Sequence, residues 1–372
     1  AGGVLTLRLL LRSAAAEDPD TARRRFLALA GGVLVAGALA AALGRASLGR
    51  ALQRAHRPAA LPPPIEPVTA PGALQAFEVP GLTPIVVPNP DFYRIDVNLI
   101  VPRVQVDGWR LTVTGMVDRE VGFTYEDLLG MPLVERYVTI ACVSNEVGGG
   151  LVGNAAWTGV PLVDLLDRAG VQEDASQIVG RSVDGWTAGF PRELAYDGRD
   201  PLVAVGMNGE PLPASHGFPA RLIVPGLYGY VSATKWLREI ELTTLEAFDA
   251  FWIPRGWAKH GPVLTQSRID VPRPGRVDAG PVMVAGVAWA PHVGIEKVEV
   301  RVDDGSWREA ETTRPLSHDA WVQWRHRWDA ARGRHALQVR ATDRTGATQA
   351  AELSPPFPDG ATGHHQVVVT VV

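Results

Sequence analysis

The chain carries one cysteine, Cys142, in 372 residues. No internal disulfide can brace the fold, and no zinc or iron–sulfur site can be built from several cysteines of this chain. Stability must therefore come from a packed apolar core, and a 46% apolar composition is sufficient for one. Cys142 follows the run Tyr137-Val138-Thr139-Ile140-Ala141 and precedes Val143-Ser144-Asn145-Glu146-Val147-Gly148-Gly149-Gly150. A lone thiol between a β-branched run and a glycine-rich turn is a candidate soft metal ligand or nucleophile. The competing reading is a small buried apolar residue, which is how most free cysteines behave.

The length suggests two domains, and the net charge of −4 gives no reason to expect a nucleic-acid partner. Only Lys235, Lys259 and Lys297 among the 36 Lys and Arg residues are lysine, so the chain is rich in planar, permanently charged guanidinium groups. Near the N-terminus, Arg23-Arg24-Arg25-Phe26-Leu27 opens the uncharged stretch from Phe26 to Leu43. The stretch is at the lower edge of what spans a bilayer. With its arginines it resembles a twin-arginine export signal, and a plain membrane anchor is the alternative. Residues 1–60 are therefore expected to be a targeting and anchoring region with an N-terminal apolar helix. The body is then held at the cell membrane on its extracytoplasmic side. Residues 61–90, with Pro62-Pro63-Pro64, read as an extended spacer.

Residues 91–250 mix strand and helix signals. Trp109 to Gly115 alternates as a strand, Thr124 caps a short helix, and Val160 to Gly170 is a second helix with an early proline and a glycine stop. The pattern predicts an α+β domain. Residues 251–269 read as a linker. From 270 to 372, short alternating runs separated by turns such as Asp303-Asp304-Gly305 predict a β-sandwich of the immunoglobulin type. The aromatic run Trp321, Trp324 and Trp328 is expected to form an exposed interface there.

Four segments, in order, resemble the sulfite oxidase family of molybdopterin enzymes. Asp91-Phe92-Tyr93-Arg94 with Pro102 is similar to the family's opening motif. Cys142-Val143-Ser144-Asn145 is similar to its Cys-x-x-Asn. Trp157-Thr158-Gly159-Val160 is similar to the segment that follows. Met207-Asn208-Gly209-Glu210-Pro211-Leu212-Pro213, with His216-Gly217-Phe218-Pro219, Arg221 and Lys235-Trp236-Leu237, is similar to the longest family signature. The resemblance implies a sulfite-oxidase-type molybdopterin-binding domain with a C-terminal dimerisation domain, hence a homodimer. It implies Cys142 as the molybdenum ligand and Cys142, Arg94 and Trp186 as catalytic positions. It implies Phe92, Tyr93, Arg94, Cys142, Ser144, Asn145, His216, Arg221 and Lys235 as contacts of the molybdenum cofactor. Ordinary alternatives stand beside these: a turn residue for Asn145, a surface ion pair for Arg94, a packing histidine for His216 and a solvated lysine for Lys235.

The resemblance has gaps. Arg94-Ile95-Asp96 lacks the family's Asn and His, Trp186 stands at its tyrosine position, and Gly229 to Thr234 lacks the arginine that grips sulfite. The expected activity is oxygen-atom transfer to sulfite or a related sulfur compound. The alternative enzyme is a periplasmic sulfoxide reductase of the methionine sulfoxide type. A cysteine hydrolase and a non-catalytic binding module are further readings. No haem is expected, so electrons pass to an external carrier, and the substrate is a small oxyanion or sulfur compound.

Overall fold

The computed structural model describes residues 60–372 except Ala73 and Leu99. The expected export signal and apolar helix lie outside these residues. Among the described residues no helix is long and apolar enough to cross a membrane.

The first ten strands, in chain order, are β1 (Arg110–Gly115), β2 (Val121–Thr124), β3 (Val134–Ala141), β4 (Val152–Pro161), β5 (Gln177–Ser182), β6 (Thr187–Pro191), β7 (Leu202–Met207), β8 (Glu210–Pro211), β9 (Arg221–Ile223) and β10 (Leu237–Thr243). They form two five-stranded sheets. One has the order β2-β1-β10-β5-β6; the other is β3-β4-β7-β8, with β9 paired to β7. The described helices are α1 (Tyr125–Leu129), α2 (Leu162–Ala169) and α3 (Gly229–Ser232). This part is thus more strongly β than the expected α+β mixture, because 39 glycines and 30 prolines leave few uninterrupted helical runs. The helix starts obey local chemistry. Thr124 and Asp127 form a reciprocal capping box on α1, and Gly170 ends α2 in the left-handed conformation at φ 71°.

Strand β4 is buried on both faces along nine of its ten residues. It can be buried because its polar groups are satisfied: Thr139 Oγ1 donates to Asn154 Oδ1 at 3.1 Å, and Asn154 Nδ2 donates to the Ile85 carbonyl at 2.8 Å. Ile85 belongs to residues 61–90, which do not behave as a free spacer. Ile65 N–H donates to the Leu133 carbonyl and Val87 N–H to the Asn154 carbonyl. Ile85 and Val87 are buried. Their burial makes this stretch a strap across the molecule.

The C-terminal part adds β11 (Gln266–Val271), β12 (Gly275–Val277), β13 (Gly280–Trp289), β14 (Ile295–Val302), β15 (Arg308–Glu309), β16 (Glu311–Thr312), β17 (Val322–Ala330), β18 (Gly333–Asp343) and β19 (His365–Val371). Two sheets, β11-β13-β17-β16 and β12-β19-β18-β14-β15, enclose a core of Val284, Val298, Val300, Trp324, Leu337, Val339, Val367 and Val369. The tryptophan run does not form an exposed interface. Trp321 and Trp324 are completely buried, and Trp328 is half-buried. Trp321 lies in the same core cluster as Trp157 and Leu222 of the preceding part, and its Nε1 donates to the Ile85 carbonyl at 2.8 Å. Strand β17 thus faces inward at its start, because the two parts share one continuous core.

Candidate active site

Cys142 is the first residue after β3. Its N–H donates to the Leu151 carbonyl, so it sits at the base of the loop joining β3 to β4. Asn145 closes that loop: its N–H donates to the Cys142 carbonyl at 3.1 Å, and its Oδ1 accepts from Leu151 N at 2.7 Å. A Cβ on Gly149 would fall 2.7 Å from Asn145 Oδ1, and one on Gly153 would fall 2.7 Å from the Phe92 ring. The glycines are therefore what allow the turn to close and Phe92 to lie against β4.

Cys142 opens into a cleft holding about 960 Å³ of space, solvent at its mouth included. Phe92, Tyr93, Cys142, Ser144, Trp186, His216, Arg221 and Lys235 all line it. The remaining two sequence candidates are not among its lining residues. Asn145 is engaged in the turn. Arg94 is 39% exposed and paired with the buried carboxylate of Asp96.

Burial raises the Cys142 thiol above its ordinary range, while the Ser144 N–H and hydroxyl oppose this. The free thiol is protonated at neutral pH, and a metal must displace that proton. His216 Nε2 lies 2.9 Å from the Asn89 carbonyl, which can only accept, so Nε2 carries the proton. Burial above all, with Arg221 and Lys235 nearby, lowers His216 to about 4, so the ring is neutral. Arg221 is 4% exposed, and its guanidinium stacks 4.9 Å from the Trp157 ring. Its Nη1 donates to the His216 carbonyl at 3.1 Å, and its Nε is buried without a partner. Burial lowers Arg221 to about 10, which leaves it cationic. Lys235 is lowered to about 8, by burial first, and donates to the Ile95 carbonyl and the Asp96 carboxylate.

Residues 98–252 match the family described as oxidoreductase molybdopterin binding domain. The chain is 30% identical over 302 residues to mitochondrial sulfite oxidase of Homo sapiens, covering 68% of this chain and 55% of that protein. It is 37% identical over 153 residues to the uncharacterized oxidoreductase YuiH of Bacillus subtilis, covering 41% of this chain and 74% of that one. The chain belongs to the sulfite oxidase family. The match spans about half the length of the sulfite oxidase. The fold is similar to the crystal structure of the sulfane dehydrogenase SoxCD from Paracoccus pantotrophus. That likeness has a TM-score of 0.68 at 26% identity, covering 77% of this chain and 81% of the other.

The cleft fits the molybdenum cofactor of the sulfite oxidase family. Among the described residues no three His, Cys, Asp or Glu side chains converge as a protein-only metal site. The lone Cys142 thiol suits a metal whose other ligands come with the cofactor. Arg221, a buried cation with an orphaned donor, requires an acceptor that the protein does not supply.

Among the lining residues that sequence reasoning missed are Asp96, Tyr230, Trp252 and Trp257. Asp96 gave no signal of its own beyond breaking the opening motif. Tyr230 lay in a segment noted only for its missing arginine. Trp252 and Trp257 come from residues 251–269, read as a linker. Their signal was present in the aromatic density of Phe251, Trp252 and Trp257.

Proposed function

We propose that the chain is a molybdenum-dependent oxidoreductase that moves an oxygen atom at sulfur, oxidising sulfite or a related sulfur compound. One observation carries this reading: the Cys142 thiol and the orphaned Arg221 Nε belong to residues lining the same cleft. When bound, the molybdenum cofactor supplies two-electron oxygen-atom exchange. The chain's own residues hold and orient. Cys142 is the metal's protein ligand. Arg221 holds an acceptor group of the cofactor, and the neutral His216, whose Nε2 proton is engaged by Asn89, offers Nδ1 to a donor group, with Phe92, Tyr93 and Ser144 beside them. Lys235 supplies positive charge for an anionic substrate, partly offset by Asp96. Arg94 shares Asp96 and reaches the substrate through that pair. Trp186 closes the cleft where the family carries a tyrosine. Electrons pass to an external carrier.

The wider setting belongs to the same proposal. Arg23-Arg24 and the apolar run to Leu43 support export and anchoring at the cell membrane, with the body extracytoplasmic. The C-terminal sheets, as an immunoglobulin-like domain, would pair two chains into a homodimer.

The test is a metal and substrate panel. Protein produced with molybdate should hold about one molybdenum per chain, set by its single candidate thiolate ligand. It should oxidise sulfite with an artificial electron acceptor. Turnover of methionine sulfoxide with an artificial donor, and none of sulfite, would move the reading to reduction. Protein without molybdenum that hydrolyses esters or amides would overturn it.

A further inference from the structure

The cleft is walled by aromatic rings on a scale that a bare oxyanion does not need. Trp186, Tyr230, Trp252 and Trp257 line it together with Cys142 and Lys235. Three of these rings, those of Tyr230, Trp252 and Trp257, brace one another. Tyr230 and Trp257 lie 5.9 Å apart, Trp252 and Trp257 6.3 Å apart, and Trp257 packs edge-on against Phe357 at 5.3 Å. The Tyr230 hydroxyl donates to the Ala258 carbonyl at 2.7 Å, tying α3 to the segment that carries the tryptophans. Ile95 and Val97, about half exposed, add aliphatic surface to the lining. Sulfite is a small hydrated ion that offers no apolar surface to such a wall. A wall already held in place takes up an apolar group with little loss of side-chain freedom.

The polar side of the lining sets the other half of the match. Lys235, Arg221, Asp96 and Asp184 line the cleft and Arg94 shares the Asp96 carboxylate from outside the lining, so these five groups carry one net positive charge. That complements a monoanion better than a dianion.

We propose that the substrate sulfur carries an apolar organic substituent, as in an organic sulfinate, R–SO2⁻. This rests on the sulfur-oxidising reading above and narrows its substrate class. A sulfinate is sulfite with one oxygen replaced by carbon, and it keeps the lone pair on sulfur. The balanced step is R–SO2⁻ + H2O → R–SO3⁻ + 2 H⁺ + 2 e⁻. One sulfur–oxygen bond forms and the carbon–sulfur bond stays intact. Water supplies the oxygen, its protons go to solvent, and two equivalents of a one-electron acceptor take the electrons. Trp252 and Trp257 are the specificity-determining residues.

The test uses the full molybdenum-loaded chain with ferricyanide as acceptor, and sulfite, methanesulfinate and benzenesulfinate as substrates. Benzenesulfinate should exceed methanesulfinate in kcat/KM by about tenfold or more, the scale on which an apolar pocket discriminates. The double variant Trp252→Ala, Trp257→Ala should bring the two sulfinates close to parity, mainly through KM. Trp257→Phe should retain most of the preference. Sulfite turnover with benzenesulfinate inert overturns this inference alone, and so does an unchanged preference in the double variant. Absence of turnover with all three substrates overturns the sulfur-oxidising reading and this inference with it. The substrate series on the unaltered protein decides by itself should the double variant fail to fold.

Discussion

Lys235 places a titration in the working range of the site. Burial lowers it to about 8, so it is cationic below that pH and neutral above it. Binding of an anionic substrate should therefore weaken as pH rises through about 8, seen as a rising KM with little change in kcat. Lys235→Met should flatten that limb, and a limb that persists unchanged would assign it to another group. The neighbouring His216, at about 4, stays neutral throughout this range and contributes no limb above pH 5. Cys142→Ser separates the roles of the thiol. The hydroxyl is a hard donor and a poor partner for a soft metal site. The variant should fold, because little volume changes. Its turnover should fall by more than about a hundredfold, beyond the loss typical of a residue that merely supports a metal ligand. Normal turnover in this variant would remove Cys142 from the chemistry and return it to the role of a small buried residue.

Two loops show how much of the molecule could be read from sequence. The β3–β4 loop was legible, since a β-branched run, a thiol and three glycines describe a strand turning back on itself. The close contact behind it was not. Gly149→Ala would push a Cβ against both Asn145 Oδ1 and the Glu146 carbonyl, at 2.7 and 2.8 Å. We expect a loss of about 1–3 kcal/mol by thermal unfolding, the usual cost of overpacking, together with lower molybdenum retention. The segment 251–269 was misread because Pro254, Gly256, Gly261 and Pro262 interrupt any regular period, whereas Trp257 finds its ring partners Tyr230 and Phe357 in distant parts of the chain. The loop before β17 carries a titration of its own. Asp319 is largely buried, one of its oxygens lacks a hydrogen bond, and His292 Nδ1 is 3.7 Å away. Burial first, with Asp200 and Asp197, raises it to about 7 against the pull of His292 and Arg199. A raised carboxyl favours the folded state while protonated, so this contribution is complete below about 3.8 and lost as pH rises through about 7. Asp319→Asn should remove that slope and raise Tm at pH 8 relative to the parent. Equal pH profiles for the two proteins would show that Asp319 is ionised at neutral pH.

At the scale of the whole molecule, the sequence suggested two separable domains joined by linkers, and the strand patterns support two parts. Their independence does not follow. Trp289 and Trp321 pack in the same cluster as Trp157 and Val203, and Trp321 N–H donates to Thr139 Oγ1 at 2.8 Å. Gln323 Nε2 donates to the Thr83 carbonyl, and Phe77 N–H to Gln323 Oε1, both at 2.7 Å. Periodicity reports which face of a strand is apolar but not which distant strand covers it, so a shared core is invisible to it. A chain ending at Asp270 should therefore expose core and aggregate. A soluble, cooperatively melting product by circular dichroism and sedimentation would contradict this. Arg268 makes the dependence specific. Its Nη1 donates to the Gly149 carbonyl at 2.7 Å and its Nη2 to Thr83 Oγ1 at 2.9 Å, so a residue of β11 grips the loop that begins with Cys142. During synthesis the Cys142 loop leaves the ribosome more than a hundred residues ahead of the strand that secures it, and β17 and β19 follow later still. A nascent chain arrested before β11 should bind no molybdenum cofactor, whereas the released full chain should. Cofactor loading would then wait for the synthesis of β11.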